Sequence, residues 1–320
     1  MATSGSYNFA SAVTRNQIIE YAARKIGAKK RGFTMSAEDV TDFAFSLNLI
    51  LQNLRENSDT AHSVKMWLRK RIRIFLEDGK DQYDTSDATD HIVAEDDLTT
   101  TAVKVAISAT DTSIDIDSTS AATAGDVIGV ALDDGTMHWT TVASVTDSDT
   151  LVVDDQFPSA AAVDKAVYIY TSNAQPPVAI LTRMLRYENA TEAEVHEMDL
   201  DDYDGIYDKS VTGTPVSMYY ERQRASGVFY LDVKADNDLE EIRMTVRYPI
   251  QDVDSAGDNL DVEGQWLRYI GWLLAIDMAP EHGVPADETW QLNVQLAYEA
   301  AMKSDPETSD LFFEPDRVEN

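Results

Sequence analysis

The 320-residue chain contains no cysteine, which excludes disulfide bridges, thiolate zinc centres and cysteine nucleophiles. A reducing compartment suits such a chain. No apolar run approaches the ~18–20 residues a membrane span needs. The opening residues, MATSGSYNFASAV, show neither a charged n-region nor an apolar h-region, so a secretory leader is not expected. Positive charge is scarce: 26 Lys and Arg stand against 57 Asp and Glu, a formal net charge of −31. An excess of that size repels nucleic-acid backbones and anionic membranes, and argues against a conventional DNA-binding module.

The positive charge that is present is uneven. Twelve basic residues fall between Arg15 and Arg73, including the islands Lys29-Lys30-Arg31 and Arg69-Lys70-Arg71. No stacking aromatics interleave with them, so sequence-specific readout is not expected. Two uses fit: solvated loop charge, or contacts with acidic surfaces of neighbouring subunits.

Hydrophobic periodicity organises the chain. Ile18, Ile19, Ala22, Ala23 and Ile26 recur at helical spacing over residues 14–28, with Gly27 as a stop signal. Ser36 and Asp39 resemble a capping box before a second helix, whose stripe is Val40, Phe43, Leu47, Ile50, Leu51 and Leu54. Then the period changes. Ile72, Ile74 and Leu76 alternate with other residues, and Asp78-Gly79 predicts a hairpin turn.

Residues 86–175 differ in composition, being rich in Thr, Ser, Ala, Val and Asp, with only Lys104 and Lys165 between Lys80 and Arg183. The alternating runs VKVAI, SIDID, DVIGVAL, HWTTVASV, TLVV and AVYIYT predict an inserted small barrel or sandwich, with Asp134-Gly135 as another hairpin signal. Further strands are expected at 178–187, 216–221, 227–233 and 241–248. Two helices follow, over 265–278 (apolar around most of its circumference, hence buried) and 287–303. The expected fold is α+β: a helical bundle from the N- and C-terminal helices, a β-rich body and the inserted β-domain. The expected division is 1–85, 86–175, 176–303 and an extended tail over 304–320.

Motifs for chemistry fail one by one. MDLDDYDGIYDKSV, residues 198–211, invites a calcium reading. Aligning an EF-hand loop on Gly205 places Asp202 and Asp204 correctly, but position one falls on Leu200 and position twelve on Val211. A capped helical turn with Asp199 or Asp201 near its N-terminus fits better. His196-Glu197 starts an HExxH pattern that ends on Leu200 instead of His. His62, His91, His138 and His282 are isolated. GxSxG, P-loop and GxGxxG patterns are absent. No enzyme activity, metal or cofactor is expected. Leu311-Phe312-Phe313, flanked by acidic residues, have two possible fates: folding back on the protein's own core, or anchoring the tail in a neighbouring protein.

Several of these pieces together carry a resemblance. They are Thr14-Arg15-Asn16-Gln17-Ile18-Ile19; Gly32 before the capped helix ending near Leu51 and Leu54; and Phe75 to Gly79 with Tyr83. The second half adds Asp202-Tyr203-Asp204-Gly205-Ile206-Tyr207-Asp208-Lys209, Gly213-Thr214-Pro215, Tyr219-Tyr220, and Trp266 through Ala279-Pro280-Glu281-His282-Gly283. Over 14–85 and 176–303 the chain resembles the head-to-tail adaptor (head-completion, tail tubular A-like) proteins of short-tailed bacteriophages.

The resemblance implies a structural virion protein at the neck between capsid and tail, assembled in the host cytoplasm. It implies a homo-oligomeric ring, usually of twelve copies, beneath the portal protein. The ring extends the DNA channel and receives a tail nozzle, tube or fibres, and DNA passes through without sequence-specific binding. Leu311, Phe312 and Phe313 would anchor the tail to the portal, and Lys29, Lys30, Arg31, Arg69, Lys70 and Arg71 would make inter-subunit or portal contacts. The alternative is a virion decoration or receptor/carbohydrate-binding protein acting through the inserted β-domain. Exposure of Trp139, Tyr168 and Tyr170 would favour it.

Overall fold

The computed structural model describes residues 13–30, 32–56, 68–188, 191–285 and 288–304. The chain is α+β and divides into two compact units, residues 1–68 with 250–320, and residues 69–249.

The first unit contains α1 (Arg15–Lys25), α2 (Ala37–Glu56), α4 (Leu267–Met278) and α5 (Glu288–Ser304); the short α3 (Leu200–Asp204) belongs to the other unit. Local signals set the helix ends. The Thr14 N–H donates to Gln17 Oε1 at 3.1 Å, opening α1. Gly27, at φ 77°, ends it in the left-handed conformation that a helix terminus favours. Ser36 Oγ accepts from the Asp39 N–H at 3.0 Å, capping α2. The apolar stripes then meet in one core, where Ile19, Ala22, Phe43, Leu47, Leu51, Trp266, Ile270 and Leu274 are buried. Close approach of α1 to α4 depends on Gly271. A Cβ there would lie 2.6 Å from Tyr21 Cδ1, so only glycine lets the tyrosine ring rest on α4.

Among the described residues, every strand lies in the second unit. Nine form one sheet: β1 (Arg69–Phe75), β2 (Gln82–Asp84), β3 (Ile92–Ala94), β10 (Ala179–Ile180), β11 (Met184–Glu188), β12 (Thr191–Glu197), β13 (Ser217–Arg222), β14 (Gly227–Leu231) and β15 (Glu241–Arg247). Their order is β2-β14-β13-β12-β11-β15-β1-β3, with β10 also on β15. All pair antiparallel except β12 with β13. Alternation sends Ile72, Ile74, Ile242, Met244 and Val246 into the sheet's core.

The other six strands are β4 (Thr99–Ala102), β5 (Ser113–Asp115), β6 (Val127–Ala131), β7 (Met137–Val145), β8 (Thr150–Val153) and β9 (Ala166–Tyr170), in the order β4-β9-β6-β7-β8-β5. A bridge between Val103 and Ile116, just beyond β4 and β5, joins the two ends of that order. The sheet is thereby closed into a small barrel, which leaves no free edge. Ile114, Ile128, Val130, Leu151, Val167 and Ile169 fill its interior.

Several details differ from the sequence reading. Asp78-Gly79 does turn the chain, with Gly79 at φ 80°, but no β1–β2 hairpin forms. The Gly79 N–H donates to Ala235 O at 2.8 Å, which directs β2 onto β14 instead. VKVAI contributes isolated bridges at Val103 and Ile107 rather than a strand. β12 carries only one buried residue, Val195, so its sequence lacks an apolar alternation to reveal it. The boundaries between the two compact units fall at 68/69 and 249/250. Helical stripes bury against helices and strand faces against strands, so the apolar cores separate by element type.

Candidate functional site

Asp199 is the N-cap of α3, its Oδ1 accepting from the Asp202 N–H at 2.8 Å. α3 then places Tyr203 (7% exposed) in an aromatic cluster. The Tyr203 ring lies 5.1 Å from that of Tyr230 and 6.0 Å from that of Tyr219. The helix stops at Asp204, so Lys209 returns to Tyr203 through a turn rather than along a helical face. Its ammonium lies 3.8 Å from the ring centroid, a favourable cation–π distance. The stretch is therefore pinned by its aromatic and cationic residues. Among the described residues no group of three His, Asp or Glu side chains is arranged to hold a metal ion.

The two basic islands belong to different units. Lys29 is ion-paired with Glu20, and its hydrogen bond holds that carboxyl below the usual carboxylate range. Lys30 is exposed, and Arg31 lies outside the described residues. Arg69, Lys70 and Arg71 begin β1. Arg69 stands opposite Arg247 in the register, and Arg73 opposite Arg243. Like charges directly opposed are unfavourable, and buried Glu241 offsets one pair. It accepts from Arg243 and lies 3.5 Å from Arg73, which also contacts Glu95 at 2.6 Å. Lys70 is on the other face, its ammonium 4.8 Å above the Tyr248 ring. Arg71 is the most solvent-exposed of these, 73% of its side chain being accessible, with only a 3.9 Å contact to Glu95. Of the expected islands, Lys30 and Arg71 are exposed, while Lys29 and Lys70 are engaged by Glu20 and Tyr248 of their own units. Glu95 and Glu241 had no signal of their own in a chain with 57 carboxylates.

The barrel meets the nine-stranded sheet through an aromatic junction. Phe75, Val93 and Tyr170 are buried there, with Leu98, Val127, Trp139 and Tyr168 half-buried around them. His91 stacks on Trp139 with centroids 3.8 Å apart, and its Nδ1 lies 2.7 Å from Tyr170 Oη. Burial, with the Lys80 charge nearby, lowers the His91 pKa to about 4. The Trp139 indole also covers Gly129, its partner across β6 and β7. A Cβ at Gly129 would lie 2.4 Å from the indole. Trp139 is held between contacts to His91 and Gly129, and Tyr170 is 2% exposed, so these aromatics pack the junction. A cleft of about 500 Å³ beside them is lined by Lys80, Glu77, His91, Thr89 and Trp139, and Lys80 is itself ion-paired with buried Asp90. Of the rings whose exposure would favour the receptor- or carbohydrate-binding alternative, Tyr170 is buried and Trp139 and Tyr168 are half-buried.

Leu311, Phe312 and Phe313 lie outside the described residues. Among the described residues no helix is long and apolar enough to cross a membrane. No known protein-family model matches the chain, and neither does any curated protein sequence.

Proposed function

We propose that this protein is a non-catalytic structural component of a bacteriophage virion, a head-to-tail adaptor that assembles as a ring between portal and tail. One observation carries the reading. The first two and last two helices, separated by some 180 residues of strand-forming chain, share a single apolar core. Such a shared core supports the expected bundle of N- and C-terminal helices, and the acidic-Tyr run that carries the resemblance to short-tailed-phage adaptors is anchored at Tyr203. Charge fits the role as well. Twelve copies at −31 sum to about −372 before counter-ions, a wall along which DNA slides without adhering. Among the described residues of the two basic islands, Lys30 and Arg71 are exposed, as contacts with acidic surfaces of a neighbour or the portal require.

Two measurements test this. Negative-stain images of virions carrying a labelled copy are expected to place the label at the neck, and label on capsid faces would overturn the reading. Mixing with portal protein is expected to give a complex that weakens when residues 304–320 are deleted. Unchanged binding would remove the tail anchor from the proposal.

A further inference from the structure

The helical unit carries an apolar groove of about 570 Å³ between α1 and the start of α4. Val13, Ile18, Tyr21 and Leu267 form its apolar lining; among them stand Gln17, Glu20 and the exposed guanidinium side chains of Arg24, which donates to Glu20 at 2.8 Å, and Arg268, so the cations outnumber the one carboxylate. Such a groove suits a short apolar segment with carboxylates at its flanks. The chain contains one: Asp310-Leu311-Phe312-Phe313-Glu314.

The course of α5 brings that segment within reach. α5 packs antiparallel to α4, with Trp290 near Trp272 and Tyr298 near Tyr269 and Trp266, at centroid distances of 6.3, 5.3 and 5.9 Å. Tyr298 is thus level with the N-terminal end of α4, where Gly264, Leu267 and Arg268 line the groove. Six further residues carry the helix about 9 Å onward to Ser304. The seven residues from there to Leu311 span about 23–25 Å when extended, enough to turn back. Residues 1–12, which precede Val13 in sequence, hold no charged side chain for the two arginines.

We infer that this groove is the docking site for the chain's own Leu311-Phe312-Phe313, with Asp310 and Glu314 facing Arg24 and Arg268. The docking does not depend on the neck reading. Where both hold, the portal and the groove compete for the same three side chains, and the groove keeps them out of water until the portal is present.

The absence of cysteine makes a clean test in the full-length chain. Gln17→Cys with Ser309→Cys puts one thiol in the groove and one beside the segment, leaving all five proposed contact residues intact. Mild oxidation is expected to close an intrachain disulfide. Its rate should fall about tenfold or more when Phe312→Asp and Phe313→Asp are added, because tethering no longer concentrates the segment at the groove. Arg24→Glu with Arg268→Glu should slow closure in the same direction. Amide exchange at 311–313 should be slowed in the native chain and released by the Phe312→Asp, Phe313→Asp changes. Closure that ignores those changes would overturn the inference. So would disulfides formed only between copies, or faster pairing of Gln17→Cys with Asn8→Cys than with Ser309→Cys. Failure of the portal mixing experiment alone would leave the groove assignment untouched.

Discussion

Many of the aspartates that make this chain so acidic are turn residues. In Asp84-Thr-Ser86, Asp87-Ala-Thr89, Asp134-Gly-Thr136 and Asp208-Lys-Ser210, one carboxylate oxygen accepts from both the N–H and the hydroxyl two residues on. These bonds hold the carboxyls of Asp87, Asp134 and Asp208 below their ordinary range. Their support is present above the ordinary pKa of 3.8 and is lost as pH falls through the lowered values. His91 acts at higher pH. Its folded-state pKa of about 4 lies below the ordinary 6.5, so between those values the unfolded chain binds the extra proton. The contribution of His91 to stability therefore declines as pH falls from 6.5 to about 4 and is constant above. Urea unfolding should register a loss of about 2 kcal/mol across that window, allowing for partial exposure, and His91→Gln should remove most of the slope. At Gly129 a methyl group has nowhere to go but the indole. Gly129→Ala should lower stability by about 1–3 kcal/mol in denaturant melts.

Elements were legible where one face is apolar and an end carries punctuation. α2 has both: Phe43, Leu47 and Leu51 are buried as its period requires, and Ser36 caps it. Ser36→Ala should cost about 1 kcal/mol in a thermal or denaturant melt. The β6–β7 hairpin was equally clear, its turn closed by Gly135 at φ 92°. β12 was hidden because Thr191, Glu192, Glu194, His196 and Glu197 all face solvent, so no alternation betrays it. The path of β2 was hidden for another reason: pairing partners distant in sequence leave no local trace, and Asp78-Gly79 suits a corner as well as a hairpin. The candidate surfaces followed the same rule. Clustering of cations along the sequence was visible, but which of them remain exposed depends on Glu20, Glu95 and Glu241, contributed by other elements.

For the molecule as a whole, the barrel enters and leaves through neighbouring strands, since Thr99 of β4 is the register partner of Ile169 of β9. Strands paired in this way run about 5 Å apart. Replacing 99–170 by a short Asn-Gly turn should therefore leave a folded nine-stranded sheet, measurable by circular dichroism. Uncovering Phe75 and Val93 should lower its stability by about 2–4 kcal/mol, and a melt would register that. A sheet that fails to form without the barrel would contradict this account.

That adjacency also bears on ancestry. A block whose two ends meet can be acquired, exchanged or lost in one genetic event without re-pairing any other strand, provided the uncovered aromatics change with it. Among related chains, length differences should therefore concentrate between Leu98 and Thr171, and Phe75 and Val93 should turn polar wherever the block is missing.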